Sequence, residues 1–350
     1  MKYLFSFLVA FSLLGFSNVA FAQETREVRG LIVNAVEETT NGTPAQLFEV
    51  RSEDGASYVV NAAEGYTDLD SLHLEEGDQV YLQIVEGIDG EQTAYISDVV
   101  RTPFLLIVFF IFAGLTLVVG WLRGLLALLG LAITIGILFL FILPQILAGA
   151  DPVTVTVIGA AGILLVNMHL AHGFNKQTFM ALLSTFCGLT LVVVLSHAFV
   201  ALTRLTGLGS EEAALLSFEA AQIVSYKGLF LAGIILGAVG VLDDVAIAQS
   251  ETVAELREVN PKISKKKVFA AALRIGRHHI ASTVNTLVLA YAGVAMPLFL
   301  LFLNAEGIDI ARFLNEPIIA EEIVRTLAGT AALVLTVPIA TWFATLAPKR

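Results

Sequence analysis

A chain of 350 residues that is 57% hydrophobic and only 15% charged does not read as a soluble domain, because long apolar runs recur along it. Its formal charge of −11 is concentrated between residues 23 and 100, where 17 Asp and Glu stand against 3 Arg, and that sign disfavours nucleic acid as a partner. The single cysteine, Cys187, lies in an apolar run, so a disulfide framework is excluded and a buried thiol is expected rather than a catalytic one.

Residues 1–22 have the layout of a signal peptide. Lys2 supplies the positive n-region, residues 3–14 the apolar core, and Ala20-Phe21-Ala22 the cleavage site before Gln23. Residues 23–100 then read as an exported small β domain. Alternation over 28–33, 46–51, 58–61, 79–84 and 94–99 predicts five short strands, with turn signals at Asn41-Gly42, Asp54-Gly55, Glu76-Gly77 and Asp89-Gly90. This pattern suggests an all-β barrel or sandwich, of the OB type. Its acidic surface either keeps the domain soluble or gathers cations or a basic partner outside the membrane.

Residues 101–350 are expected to form a seven-span transmembrane domain, with spans near 104–120, 125–147, 153–168, 179–202, 229–248, 280–303 and 327–346. The fold class is therefore a polytopic α-helical membrane protein of about seven spans after signal cleavage, with a small all-β exported N-terminal domain. Cleavage leaves the new N-terminus outside, so an odd number of spans places the C-terminus in the cytoplasm. The basic residues agree, with eleven on the expected inner side and five on the outer. Seven of the eleven fall in or near a cytoplasmic basic segment, 257–279. The expected location is the bacterial plasma membrane. Two outer connections, 210–222 and 315–325, carry helix-start signals of their own, Ser210 with Glu211 and Glu212, and Asn315 with Glu316 and Pro317.

The stretch 228–260 organises the rest. It begins as a span, passes a row of small residues (Gly233, Gly237, Gly240) and an acidic pair (Asp243, Asp244), and ends on a polar face with Glu251, Glu255 and Glu258. With no break residue after Val241, one continuous helix is expected. Carboxylates in or near hydrocarbon are costly unless paired or hydrated, so they are functional candidates. The glycines are expected to be helix-packing positions, letting backbones approach closely. Asp244 shares their face and is expected to be the interior carboxylate, held near Asn285 or His169, with Asp243 nearer the headgroups or paired with Arg274. Asn167, His169, His172, His278, His279, Ser282 and Asn285 fall at the same depth, where a proton relay, cation site or inner gate would lie. His169 and His172 are three apart, yet no metal-ligand motif accompanies them and no metal is assigned.

No GxSxG, P-loop or nucleophile–base pair is present, so no enzyme activity and no cofactor are expected. Two functions remain. One is a permease, proton-coupled through Asp244 or Asp243, with Asn285, His169, His172 and His278 as further relay candidates and the solute or ion left open. The other is a non-transporting membrane scaffold or sensor whose exported domain binds a partner. Beyond the lipid bilayer, the partners considered are a second copy of the chain or another membrane protein.

The segments GIILGAVGVLDDVAIAQSETVAEL, AALRIGRHHIASTVNTLVLAYAG and EEIVRTLAG resemble the YibE/F-like family of bacterial multi-span membrane proteins, over roughly residues 104–346. Members are described as membrane proteins or permeases. The resemblance implies a multi-span membrane topology and draws attention to Gly237, Asp244 and Asn285, but it implies no particular substrate. A fainter similarity, to the membrane half of the SecD/SecF transporters, rests on an acidic residue late in a span followed by a basic segment and a Thr/Asn-bearing span.

Overall fold

A computed structural model describes residues 25–40, 43–61, 74–86, 92–219, 225–304 and 309–347. The expected signal peptide, the Asn41-Gly42 and Asp89-Gly90 turns, the end of the 210–222 segment and the basic C-terminus lie outside these residues. The chain divides into two units, Met1–Phe112 and Ala113–Arg350.

In the first unit all five expected runs are strands: β1 (Thr25–Thr40), β2 (Thr43–Ser52), β3 (Ser57–Asn61), β4 (Gln79–Glu86) and β5 (Gln92–Val99). They form one antiparallel sheet in the order β3-β2-β1-β4-β5. β1 is longer than its apolar alternation because its first half pairs with β4 and its second half with β2. A register shift between Ile32 and Asn34 lies where the two ladders meet, and such a bulge bends and twists a strand. Gly30 stands at the same place, where a Cβ would come 2.5 Å from Val50 Cγ1. The sheet curls until β3 and β5, the two ends of the order, lie side by side, with the Tyr58 hydroxyl 3.5 Å from Gln92 Oε1. Ile32, Phe48, Val50, Val60, Leu82, Ile84 and Ile96 fill the concave side. In the β2–β3 turn the Ser52 hydroxyl donates to Asp54, and this bond holds the Asp54 carboxyl below the usual carboxylate range.

The second unit is helical. The helix α1 (Thr102–Ile137) is broken at Trp121, where φ is 49° and ψ −129°. A Cβ on Gly124 would collide with the carbonyl of Thr116, so residues on either side of the break touch. Unbroken, the 46 residues Thr102–Leu147 would extend about 69 Å, more than twice a bilayer core of about 30 Å. A π-helical turn, Leu138–Ile142, and the short α2 (Leu143–Leu147) follow. Pro144 lacks the N–H that would reach the Leu140 carbonyl, which is the physical reason for the widened turn.

The next helices are α3 (Pro152–His172), α4 (Lys176–Leu202), α5 (Glu211–Glu219) and α6 (Tyr226–Val259). Asp151 caps α3, accepting from the Thr154 N–H at 2.8 Å and its hydroxyl at 2.7 Å, and these bonds hold its carboxyl below the ordinary range. Asn175 caps α4 and Ser225 caps α6. Gly173, at φ 73°, ends α3 in a conformation that favours glycine. Then come α7 (Lys265–Val294), α8 (Met296–Asn304), α9 (Ile310–Leu314) and α10 (Pro317–Leu346). The expected span 280–303 is not straight: α7 and α8 meet at 62°. Pro297 removes the N–H that would bond the Gly293 carbonyl and crowds that turn.

Among the described residues, five stretches are long and apolar enough to cross a membrane: Thr102–Leu147, Pro152–His172, Lys176–Leu202, Tyr226–Val259 and Pro317–Leu346. The bent α7–α8 pair makes a sixth. The centre of the unit is the packing of α4, α6 and α10 on one another, with α3 against α6. At their crossing a Cβ on Gly188 would come 2.7 Å from Thr336 Oγ1 and 3.0 Å from Leu242 Cδ2. Buried Thr185, Thr336 and Thr341 each donate to the carbonyl four residues back, so these hydroxyls need no water.

Candidate functional site

The helix α6 runs unbroken, about 51 Å for its 34 residues, and shows two faces. Leu231, Ile235, Ala238, Leu242, Val245, Gln249, Val253 and Arg257 recur every three or four residues and are buried. Gly237, Gly240, Asp244, Glu251, Glu255 and Glu258 are exposed and form the opposite face. Asp244 does share a face with the glycines, but that face is the open one. The large apolar side chains of α6 take the core, because they gain most from burial, and the glycine row remains as a groove.

The ends of polar side chains reach into this groove. A Cβ on Gly233 would meet Arg325 Nη1 at 2.8 Å, and one on Gly237 would meet the Tyr291 hydroxyl at 2.7 Å. Gly240 has nothing within 4 Å. The close helix approaches fall elsewhere, at Gly188 and at Gly276, where a Cβ would meet Val337 and Gln249 within 2.8 Å. The expectation that Asp244 is the more interior carboxylate is also reversed. Asp243 is half-buried and Asp244 is exposed on the groove, and neither forms an ion pair with Arg274. Asp244 lies within electrostatic reach of His279 and His172.

The other expected residues separate. His172 Nε2 is 4.0 Å from Glu251 Oε1, and its Nδ1 is buried with no partner. His169 turns back on its own helix: Nδ1 lies 2.8 Å from the Leu165 carbonyl and the ring packs on Phe174 with centroids 4.5 Å apart. Asn167 joins helices, donating to Thr134 Oγ1 at 3.0 Å and facing Gly130. His278 and Asn285 are exposed on α7, a helix that buries only Val268, Ala272 and Gly276, all in its first half. Among the described residues no group of three or more His, Cys, Asp or Glu converges as metal ligands would.

Two cavities lie along α6. One, of about 240 Å³, is lined by Arg123, His172, Asn175, Gln177, Thr178, Ser250 and Glu251, with Ala171, Ala181 and Ile247. The second, of about 360 Å³, is mostly apolar, with Ile142, Ile146, Leu229 and Phe230 in its wall and Glu321 and Arg325 beside them. Sequence reasoning missed this second group. It treated 315–325 as an outer connection, whereas α10 begins at Pro317 and Glu321 is only 5% exposed. Glu321 accepts the Gly209 N–H at 3.0 Å; Arg325 donates to Glu322 at 3.2 Å and lies over the Phe230 ring at 5.1 Å. The signal was present as two acids and an arginine joined without a break to an apolar run.

Helices of this length and apolarity around a central α6, preceded in the chain by a curled antiparallel sheet, define a helical membrane protein with an N-terminal β unit. Residues 108–350 match the family described as YibE/F-like protein, and the chain belongs to that family. No curated protein and no solved structure matches it.

Proposed function

We propose that the protein is a proton-coupled permease whose path follows the open face of α6. The observation that carries this reading is the alignment of two polar groups on one glycine-floored groove. Glu322, Arg325 and Tyr291 lie at Gly233 and Gly237, and Asp244, His172, His279 and Glu251 lie at the other end. From Gly233 to Asp244 is about 16 Å along the axis, roughly half the bilayer core. Titratable groups in apolar spans are expensive to keep, and a row of them beside an uncovered groove fits a proton or ion route better than a structural cross-link. Asp244 is the proton carrier in this reading, His172 and Glu251 the exit, and Asp243 the flanking carboxylate.

The same reading keeps seven spans. The break at Trp121 separates two of them, and the α7–α8 pair counts as one. The β unit, in an OB-like strand order, lies outside the plasma membrane and the C-terminus inside. With Cys187 replaced, Asp54→Cys should be labelled from outside and Lys266→Cys only after permeabilisation; the opposite pattern removes the topology. The decisive experiment is proton-coupled flux in liposomes loaded with a pH-sensitive dye, across a panel of ions and small solutes. Asp244→Asn should abolish coupled flux while leaving the fold intact. Unchanged flux in that variant removes Asp244 from the path.

A further inference from the structure

We propose that the 240 Å³ cleft between α3, α4 and α6 is a binding site for a small oxyanion, a carboxylate or a phosphate. This deepens the permease reading by naming a substrate class, although binding itself does not depend on transport.

Three features converge on the cleft. The first is the N-terminus of α4, a 27-residue helix whose cap Asn175 and early residues Gln177 and Thr178 line it. Asn175 uses its carbonyl to cap the Thr178 N–H at 2.8 Å, so the N–H groups of Lys176 and Gln177 stay free at the positive end of the helix dipole. The second is Arg123, which lines the cleft and has neither an ion pair nor a hydrogen bond among the described residues. A guanidinium is the side chain best shaped for a two-pronged bond to an oxyanion.

The third feature points to a ligand independently. Ser250 is only 4% exposed, lines the cleft, and its hydroxyl has no hydrogen-bond partner. Most serines on these helices donate to a carbonyl of the preceding turn, as Ser184 and Ser196 do. Leaving a buried hydroxyl unpaired costs free energy that a bound acceptor would restore. Glu251, at the rim and 60% exposed, is the one carboxylate lining the cleft, and it lies 4.0 Å from His172, which offsets its charge when protonated. The wall offers Gln177 as a further amide donor and no Phe, Tyr or Trp to stack a base on, so a compact hydrophilic anion fits better than a nucleotide.

The test uses the full-length protein in detergent, with the fluorescence of Trp121, two residues from Arg123, read in a Trp342→Phe background so that one tryptophan reports. Inorganic phosphate and acetate are titrated separately, with potassium chloride at matched ionic strength as the blank. Saturable quenching or enhancement is expected with at least one oxyanion. Arg123→Gln should weaken it about tenfold or more and Ser250→Ala about three- to tenfold, while Glu251→Gln should tighten it, charge-assisted bonds being the stronger class. A third arm moves the protein into nanodiscs of phosphatidylglycerol. Loss of phosphate binding there, with retention in phosphatidylcholine, identifies a lipid headgroup as the occupant of the same site; retention in both identifies a free solute. No saturable response to either anion, or responses unaffected by both Arg123→Gln and Ser250→Ala, overturns the proposal. Asp244→Asn separates the two readings, since it should stop flux and leave anion binding within about twofold.

Discussion

Two helices flank α6 and meet different fates. The helix α4 is buried along most of its length, from Thr178 to Val200. The helix α7 is buried only at Val268, Ala272 and Gly276, and from Arg277 to Val294 it carries no buried residue. Hydrophobicity does not explain the contrast, because α7 continues into the apolar run Leu287–Ala292, where no residue is buried and only Leu287, Tyr291 and Ala292 are partly covered. The difference is the placement of small residues. On α4, Ala181, Ser184, Thr185, Gly188, Val192 and Ser196 follow at helical spacing and are all buried. In lipid, helices gain little from hiding leucine and associate where backbones can approach and hydroxyls can be satisfied. Beyond Gly276, α7 presents Arg277, His278, His279, Ser282 and Asn285, which favour a hydrated or open side over a close contact.

The hardest test of that contrast is to overfill the packed side. Gly188→Leu places a side chain where Thr336 and Leu242 already stand, and should cost about 3 kcal/mol or prevent folding, read as loss of a monodisperse peak and of the thermal transition in detergent. A mild effect would mean that the α4–α6–α10 crossing is looser than it looks. Next in size is Arg257→Ala. The buried guanidinium donates to the carbonyls of Thr345 at 2.6 Å and Ala347 at 2.7 Å, tying the end of α10 to α6. Its removal leaves two acceptors without donors and should cost about 2 kcal/mol, again by thermal unfolding.

A smaller effect is expected at the cap of α3. Asp151→Ala should cost about 1 kcal/mol. The sign of its pH dependence follows from the lowered carboxyl: the stabilisation is present above the unfolded value, near pH 4, and is lost as pH falls through the lower folded value. Unfolding curves of wild type and Asp151→Ala should therefore converge below about pH 4, and a constant gap would sink the capping account. The smallest effects belong to the open side. Gly240→Ala meets nothing within 4 Å and should be neutral or stabilising by about 0.5 kcal/mol. Leu289→Ala, at a side chain 61% exposed on α7, should change stability by less than about 0.5 kcal/mol. A large loss in either would show that something covers the groove or α7 in the membrane.

Much of the fold was legible in the residues alone. Period-two alternation fixed all five strands, since a half-buried strand must alternate. Apolar runs located the helices, because a backbone in hydrocarbon must satisfy itself internally. The caps Asp151, Asn175, Ser210 and Ser225 sit where helices start; the sequence reading used only Ser210. What periodicity could not decide was which way each helix turns. The face shared by Gly237, Gly240 and Asp244 followed from 3.6 residues per turn, but whether it met a backbone or a groove depended on competition among all the helices for α6. The sequence also counted 280–303 as one span, although Pro297 was visible in it, because a proline permits a bend without setting its angle.

The chain by itself thus determined the order and type of its elements, the membrane class and the inventory of titratable groups, all local properties of pattern and composition. Only the tertiary structure decided which groups meet. It buried Glu321, left Asp244 on an open groove, turned His169 onto its own helix and brought Arg123, the start of α4 and Ser250 around one cleft. Those outcomes come from side chains distant in sequence competing for the same surface of α6, and no local signal encodes the winner.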